Sequence, residues 1–221
     1  MSEHSHEDLA SLTRRIAACR ICRDTPSGPP LPHEPRPVLR VGAGRALILI
    51  CGQAPGARVH ASGIPFDDPS GDTLRSWLGV TRETFYDEDC IGIVPMGFCF
   101  PGHDSKGGDL PPRKECARTW HGPLFALLPP PRLMIALGLY AQRYHLARVG
   151  RPDLAARTLH DSVRNWREVW TATSILPLPH PSWRNRAWVA RNPWFESELL
   201  PVLRQAVGDA LGPRGIEPPA T

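Results

Sequence analysis

The sequence predicts an α/β protein, a three-layer α/β/α sandwich built around a mainly parallel sheet of four strands. Three observations support this fold class. Four short apolar runs are spaced along the 221-residue chain, and stretches with helical periodicity alternate with them. Each run is continuously apolar, as expected of strands that are buried on both faces. With 41% apolar and 22% charged residues, the chain can form such a core.

The predicted strands are the four apolar runs, which cover residues 46–51, 91–96, 133–138 and 175–178. The strands of a parallel sheet end at one common edge, and open α/β sheets bind their ligands beyond that edge. The loops that follow the four runs are therefore the places where we expect a functional site.

Helices are predicted before, between and after these strands. Apolar residues from Leu9 to Cys19 recur at helical spacing, which predicts an amphipathic helix over residues 6–20. The other predicted helices cover residues 71–78, 113–128, 140–147, 159–166 and 193–211. We expect one domain over residues 1–211, followed by a disordered tail over residues 212–221.

The basic residues are unusual in kind. All of the 26 basic residues except Lys106 and Lys114 are arginines. Arginine binds phosphate with a forked group and stacks on bases, which favours a nucleic-acid partner, but GC-rich coding also enriches arginine. Charge alone therefore does not decide the partner.

Composition also bears on location. No apolar run approaches the roughly 18 residues that a membrane-spanning helix needs, and the polar, acidic N-terminus is unlike a signal peptide. We therefore expect a cytoplasmic protein that acts as a monomer, with no membrane partner. In that compartment the six cysteines are expected as thiols or metal ligands rather than disulfides.

The loop after the first predicted strand is rich in glycine and proline. Its segments 52–56 and 63–71 predict a rigid loop whose backbone a ligand can approach closely. Gln53 presents one acceptor and two donors just beyond the strand, and Phe66 offers a flat apolar face. The dinucleotide and P-loop fingerprints are absent. Taken alone, the loop is also compatible with a purely structural turn.

The loop after the fourth predicted strand contains a histidine between two prolines. His180 therefore has little backbone freedom, and Trp183, Arg184 and Arg186 follow it closely. Groups that grip phosphate and stack on bases, next to a fixed donor, suit a nucleotide site. A single histidine is, however, more often a structural or surface residue than a functional one.

The two loops together resemble the uracil-DNA glycosylase superfamily. The resemblance consists of Gly-Gln-Ala-Pro-Gly, then Pro-Phe ending at Phe66, then His-Pro-Ser beginning at His180, and it extends over roughly residues 9–207. It implies an enzyme that flips uracil out of DNA and hydrolyses its N-glycosidic bond, leaving an abasic site. A non-catalytic damage-binding protein of the same fold and an unrelated α/β nucleotide-binding or hydrolytic protein remain alternatives.

The resemblance also implies roles for individual residues. Phe66 would stack on the flipped uracil, and His180 would donate a hydrogen bond to uracil O2, where negative charge grows. Gln53 would orient the attacking water, with Asp67 or Asp68 as the candidate base; solvated loop acids or helix caps are the alternative for both aspartates. The residues implied in substrate binding are Gly52, Gln53, Phe66, Met96, Gly97, Phe98 and His180. The implied DNA contacts are Ser182, Trp183, Arg184 and Arg186, with Trp183 as a wedge.

Two positions depart from the pattern of the superfamily. The closest families usually have Glu or Asp where this chain has Gln53 or Ala54, and a glutamine cannot act as a base. They also often have Asn where this chain has Pro95, so uracil recognition would fall to backbone groups of residues 96–98. These departures affect the assignment of catalytic residues much more than the fold.

Four cysteines follow the order found in the bacterial iron–sulfur branches of the superfamily. Cys19 and Cys22 form a Cys-x-x-Cys pair, Cys99 precedes a proline after the second strand, and Cys116 begins the next helix. This resemblance implies a [4Fe–4S] cluster held by four thiolates. Zinc also accepts four cysteines, and four unconnected thiols are the third possibility. The two remaining cysteines lie in or beside apolar runs and are expected in the core.

Overall fold

The computed structural model describes residues 7–212, so the predicted tail lies outside the described residues except for Gly212. The four strands are β1 (Ile48–Cys51), β2 (Ile91–Ile93), β3 (Leu133–Leu137) and β4 (Ile175–Leu178). They form one sheet in the order β2-β1-β3-β4, and all three pairings are parallel. Helices pack on both faces, which confirms the predicted α/β/α architecture.

Helices connect the strands and cover the sheet. In the described part of the chain they are α1 (Leu9–Ala17), α2 (Ile21–Asp24), α3 (Ala57–Ser62), α4 (Pro69–Leu78), α5 (Arg82–Tyr86), α6 (Lys114–Cys116), α7 (Gly122–Leu127), α8 (Gly138–Arg148), α9 (Leu159–Arg164), α10 (Trp166–Thr173), α11 (Arg186–Arg191) and α12 (Leu200–Leu211). A π-helical turn, Ala117–His121, joins α6 to α7, and a second, Phe195–Leu199, leads into α12. Between residues 7 and 212, no helix has the length and apolarity needed to span a membrane.

Both faces of the sheet are buried, and alternate residues of β1 show why its sequence is continuously apolar. Ile48 and Ile50 pack in one apolar cluster with α4 and α12, whereas Leu49 and Cys51 pack in the other with α1 and α8. Cys51 and Cys90, the two cysteines expected in the core, are both buried.

Some helices and strands begin or end at other residues than predicted. The helix predicted over residues 6–20 ends at Ala17, and α2 begins at Ile21, so Cys19 lies in the turn between them. The strand predicted over residues 91–96 ends at Ile93, two residues before Pro95, which has no N–H to donate. The helices that the sequence pattern did not predict are four to eight residues long; they are α2, α3, α5, α10 and α11. Such helices contain too few apolar repeats to show a period.

The strand order creates a crevice at the carboxyl edge of the sheet. The chain leaves β1, forms β2 on one side of it, and then forms β3 on the other side. Neighbouring loops diverge at such a reversal, which leaves room for a ligand. Gly52 directly follows β1 and His180 lies two residues after β4, so the loops that follow these two strands face each other across this edge.

Candidate active site

An open pocket of about 360 Å³ lies at the carboxyl edge of the sheet. The loops after β1 and β4 and the first turn of α4 form most of its wall. Among the residues implied by the sequence, those that line it are Gly52, Gln53, Phe66, Asp68, His180, Ser182, Trp183 and Arg186. The fold thus brings together the two segments that carry the resemblance.

Phe66 is held rigidly in the wall of this pocket. Its backbone has a positive φ of 57°, which is uncommon for a residue with a side chain. Behind it, the Phe85 ring makes an edge-on contact at a centroid distance of 6.0 Å. The Tyr86 hydroxyl donates to the carbonyl of Pro65 at 3.0 Å. The residues around Phe66 therefore fix the face that it presents to a ligand.

His180 lies across the pocket from Phe66. The two ring centroids are 6.4 Å apart and the planes differ by 27°. Asn185 donates its side-chain amide to the carbonyl of His180 at 2.8 Å, which fixes the backbone of this turn. Burial lowers the pKa of His180, although the nearby charges of Asp68 and Asp109 oppose that shift. The imidazole is therefore neutral at pH 7 and still carries one N–H donor.

Gln53 connects the first loop to a more distant segment. Its side-chain amide donates to the carbonyl of Leu110 at 3.1 Å, and its backbone carbonyl accepts from the N–H of Gly97 at 2.9 Å. Both bonds fix the position of the glutamine at the pocket wall. They also bring the segment around Leu110 against the pocket.

The two candidate bases occupy different environments. Asp68 borders the pocket, but its Oδ1 accepts from the N–H groups of Ser70 and Gly71 at 2.8 and 3.1 Å, which makes it the N-cap of α4. Asp67 is not among the lining residues, and its carboxylate pairs with Arg82 at 3.1 Å. Asp68 therefore fits the helix-cap alternative, and Asp67 forms an ion pair instead.

The segment proposed to read uracil through its backbone is bonded inside the protein. The N–H groups of Met96 and Gly97 donate to the carbonyls of Gly52 and Gln53 at 2.8 and 2.9 Å. The N–H of Phe98 donates to a cysteine sulfur at 3.2 Å. These three N–H groups are already bonded within the chain. The hydrogen bonds therefore do not support recognition of uracil by the backbone of this segment.

The expected DNA contacts lie at the rim of the pocket. The Trp183 side chain is 71% exposed, which suits a residue that inserts into a base stack. The Arg184 guanidinium lies over its ring, 5.4 Å from the centroid, and donates to the carbonyl of Gly107 at 2.8 Å. Arg186 and Ser182 line the pocket itself. Arg186 is thus better placed than Arg184 to meet a phosphate of a bound nucleotide.

Arg58, Thr73 and Asp109 also line the pocket, and none of them was among the site residues expected from the sequence. Arg58 lies two residues after the Gly-Gln-Ala-Pro-Gly motif, so its proximity to that motif was the available signal. Thr73 lies one turn into α4, a helix whose start the apolar pattern located two residues late. Asp109 lies in a glycine-rich stretch between two cysteines, where only the cysteines carried a recognisable pattern.

The four cysteines expected as ligands, Cys19, Cys22, Cys99 and Cys116, border a single second cavity. The indole N–H of Trp120 donates to the sulfur of Cys19 at 3.2 Å, and a backbone N–H donates to Cys116 at the same distance. Across residues 7–212, no group of three or more His, Cys, Asp or Glu side chains is arranged to hold a metal ion. The convergence of four thiols, with N–H groups aimed at two of them, nevertheless fits the donor set of an iron–sulfur cluster.

Residues around this cavity shift the pKa of some of its thiols and connect the segments that carry the cysteines. Burial raises the pKa of Cys99 to about 12 and raises the pKa of Cys22, so a metal would have to deprotonate these two thiols. Arg113 donates to the carbonyls of Cys22 and Pro29. Glu115 accepts from the N–H of Ser27 at 2.8 Å. These bonds connect the first Cys-x-x-Cys pair to the start of α6 without any metal.

In this α/β fold, one pocket combines a fixed aromatic face, a neutral histidine donor and arginines. Such a site is typical of a protein that recognises a flat base or nucleotide. Comparison with protein families agrees and is more specific. Residues 39–204 match the model of the Uracil DNA glycosylase superfamily, and the chain belongs to that superfamily.

Membership sets the general activity. The protein is a hydrolase of the DNA glycosylase kind, with a DNA-binding and DNA-repair role. The matched region contains the whole sheet and every lining residue of the pocket except Val38, including both Phe66 and His180. It also contains Cys99 and Cys116 but begins after the first cysteine pair.

Proposed function

We propose that the protein excises uracil from DNA by hydrolysis of the N-glycosidic bond. The observation that carries this proposal is the meeting of Phe66 and His180 across one pocket, with 6.4 Å between their ring centroids. A flipped base stacked on Phe66 would lie within reach of the imidazole. Because a base inside a duplex is out of reach, the nucleotide must leave the stack first.

His180 would act on the leaving group. As the bond from the sugar to the base breaks, uracil becomes an anion with charge on N1 and O2. A donor aimed at O2 gains strength as this charge develops, so it lowers the barrier more than it tightens binding. Burial lowers the pKa of His180, so the donor is a neutral imidazole and its catalytic role does not depend on protonation.

The water that attacks C1′ would be positioned from the first loop. Gln53 is fixed by its bond to the carbonyl of Leu110 and lines the pocket. An amide orients water through hydrogen bonds but cannot take its proton. A carboxylate elsewhere in the pocket would therefore accept that proton.

Contacts to the DNA backbone would come from the rim. Arg58 and Arg186 line the pocket, where they can bind the phosphates on either side of a flipped nucleotide. Trp183 is exposed beside them and would fill the gap that the base leaves. Because phosphate contacts carry no sequence information, this grip suits an enzyme that searches any sequence for one base.

The four converging cysteines would hold a [4Fe–4S] cluster, with zinc as the alternative. When bound, such a cluster supplies structural cross-linking and can carry an electron. In this chain Cys19 and Cys22 would then join the α1–α2 region to Cys99, just after β2, and to Cys116 in α6. The chemistry at the base would remain with the pocket residues.

The activity is tested with oligonucleotides that contain one uracil, in single- and double-stranded form, and with matched thymine controls. We expect abasic sites in the uracil substrates only. Tight binding of uracil DNA without release of the base would instead support the non-catalytic damage-binding protein. A panel of other damaged bases defines the range of substrates.

The cluster is tested by metal analysis of protein purified without air. We expect a brown protein with about four irons per chain. Cys99→Ser should lose this iron, whereas Cys90→Ser, a buried cysteine outside the cavity, should keep it. Iron-free wild-type protein, with zinc or without any metal, would contradict the cluster.

A further inference from the structure

We propose that Asp109 is the carboxylate that activates the attacking water, in place of the acidic residue that the first loop lacks at Gln53. This assignment rests on the proposed glycosylase function and adds a catalytic residue to it. Asp109 belongs to neither segment that carries the family resemblance. Its placement in the pocket is a property of the fold.

A hairpin between the second and third strands carries Asp109 to the pocket. His103 and Asp109 form an antiparallel bridge, and the N–H of Leu110 donates to the carbonyl of Gly102 at 2.9 Å. The side chain of Gln53 then holds the end of this hairpin through the carbonyl of Leu110 at 3.1 Å. The glutamine that replaces the expected acid thus fixes the backbone next to a different acid.

The two carboxylate oxygens of Asp109 have different surroundings. Oδ1 lies 3.1 Å from Nδ1 of His103, which orients the group. Oδ2 lies near Gly56 of the first loop, 4.0 Å from the position that a Cβ on Gly56 would occupy. Gly56 and Asp109 both line the pocket. The Asp109 side chain is 45% exposed, so water reaches it.

Asp68 is the other carboxylate in the pocket, and its environment suits a different role. Its Oδ1 accepts from Ser70 and Gly71 and thereby caps α4. These hydrogen bonds occupy Oδ1 and hold the carboxylate against the end of the helix. Both aspartates line the same pocket as His180, and their negative charges oppose the lowering of its pKa. Asp109 differs from Asp68 in that no helix depends on its carboxylate.

The C1′–N1 bond breaks and its electron pair leaves with uracil, while positive charge develops on the sugar. The negative charge of Asp109 stabilises that cation, and Asp109 accepts the proton of the water whose oxygen bonds to C1′. The proton passes to solvent, and the uracil anion is protonated. One water is consumed, and the products are uracil and an abasic sugar.

The test is single-turnover excision by Asp109→Asn, which keeps the size of the side chain and removes its charge. We expect the rate to fall by about 100-fold or more. Affinity for DNA with an uncleavable uracil analogue should stay within threefold or become tighter, because a negative charge near phosphates is lost. The melting temperature should not change. Asp109→Glu should recover part of the rate.

Two further variants separate the alternatives. Asp89→Asn is the control, since Asp89 is a surface carboxylate paired with Arg45 at 3.0 Å and does not line the pocket, and it should match the wild type. If the wild type is active, two outcomes would overturn the assignment. One is an excision rate of Asp109→Asn within threefold of the wild-type rate. The other is that only Asp68→Asn is inactive, at an unchanged melting temperature. A parallel loss of affinity and stability in Asp109→Asn would also overturn it. An inactive wild type would instead refute the proposed function, and this assignment with it.

Discussion

The Cα of Gly71 faces the carbonyl oxygen of Phe66 so closely that a Cβ at this position would lie 1.9 Å from the oxygen. Phe66 also has a positive φ of 57°. The first turn of α4 thus fits against a strained backbone only because it contains a glycine. The orientation of the aromatic face in the pocket depends on this contact.

Gly71→Ala should therefore reduce excision through a shift of Phe66. In a helix with free space, Gly to Ala stabilises by about 0.5–1 kcal/mol, but here the methyl group would overlap a backbone atom. We expect at least tenfold slower single-turnover excision and a lower melting temperature. Gly208→Ala in α12 is the matched control, since its Cβ would meet nothing within 4 Å. Equal behaviour of the two variants would mean that Phe66 does not need this contact.

The sequence predicted the sheet well because strand burial leaves a direct pattern. The run ending at Leu178 has the predicted bounds, and Ile48–Cys51 differs by two residues at its start. The same pattern, with the two loop motifs, located Phe66 and His180. Asp109 was not predicted because its position depends on a hairpin and on a bond from Gln53, and neither has a periodicity.

The second prediction concerns the grip on DNA. Arg58 and Arg186 line the pocket, whereas the guanidinium of Arg184 is bonded to the carbonyl of Gly107. The double variant Arg58→Ala/Arg186→Ala should weaken binding to every DNA sequence and flatten the dependence of log K on log salt by about two units. Arg184→Ala should change that slope less. An unaltered slope in the double variant would show that these two arginines do not meet phosphates.

The third prediction concerns stability at acid pH. His145 is completely buried, and neither ring nitrogen has a hydrogen-bond partner among the described residues. Burial lowers its pKa to about 3, against about 6.5 in an unfolded chain. The unfolded state therefore binds the proton first, and the stability present above pH 6.5 is lost as the pH falls toward 3. The loss amounts to about 1.4 kcal/mol per pH unit over that window.

His145→Leu should remove this term from the pH dependence. The free energy of unfolding, from denaturant titrations at several pH values, should fall less steeply between pH 6 and pH 4 than in the wild type. At pH 7 the variant should be at least as stable, because it buries no polar nitrogen. His121, with a pKa lowered to about 4 by burial, should account for part of the remaining slope. An unchanged slope in the leucine variant would mean that His145 is solvated in the folded protein.

The last prediction concerns His180, whose ring shares the pocket with Phe66. Loss of one donor to a developing anion typically costs on the order of 10²–10³ in rate. His180→Ala should lower single-turnover excision by that factor, while affinity for uracil DNA stays within a few-fold, since the bond to O2 strengthens mainly in the transition state. Because burial lowers the pKa of His180, the imidazole should stay mainly neutral and the histidine-dependent rate should stay constant down to about pH 6.5. A histidine that merely braces its loop would behave differently: the alanine variant would lose thermal stability and affinity together. His180→Gln, which retains an N–H donor, should recover part of the rate lost in the alanine variant. Measurement of rate, affinity and melting temperature on both variants separates these roles, and near-wild-type excision by His180→Ala would show that the His-Pro-Ser motif does not serve catalysis in this chain.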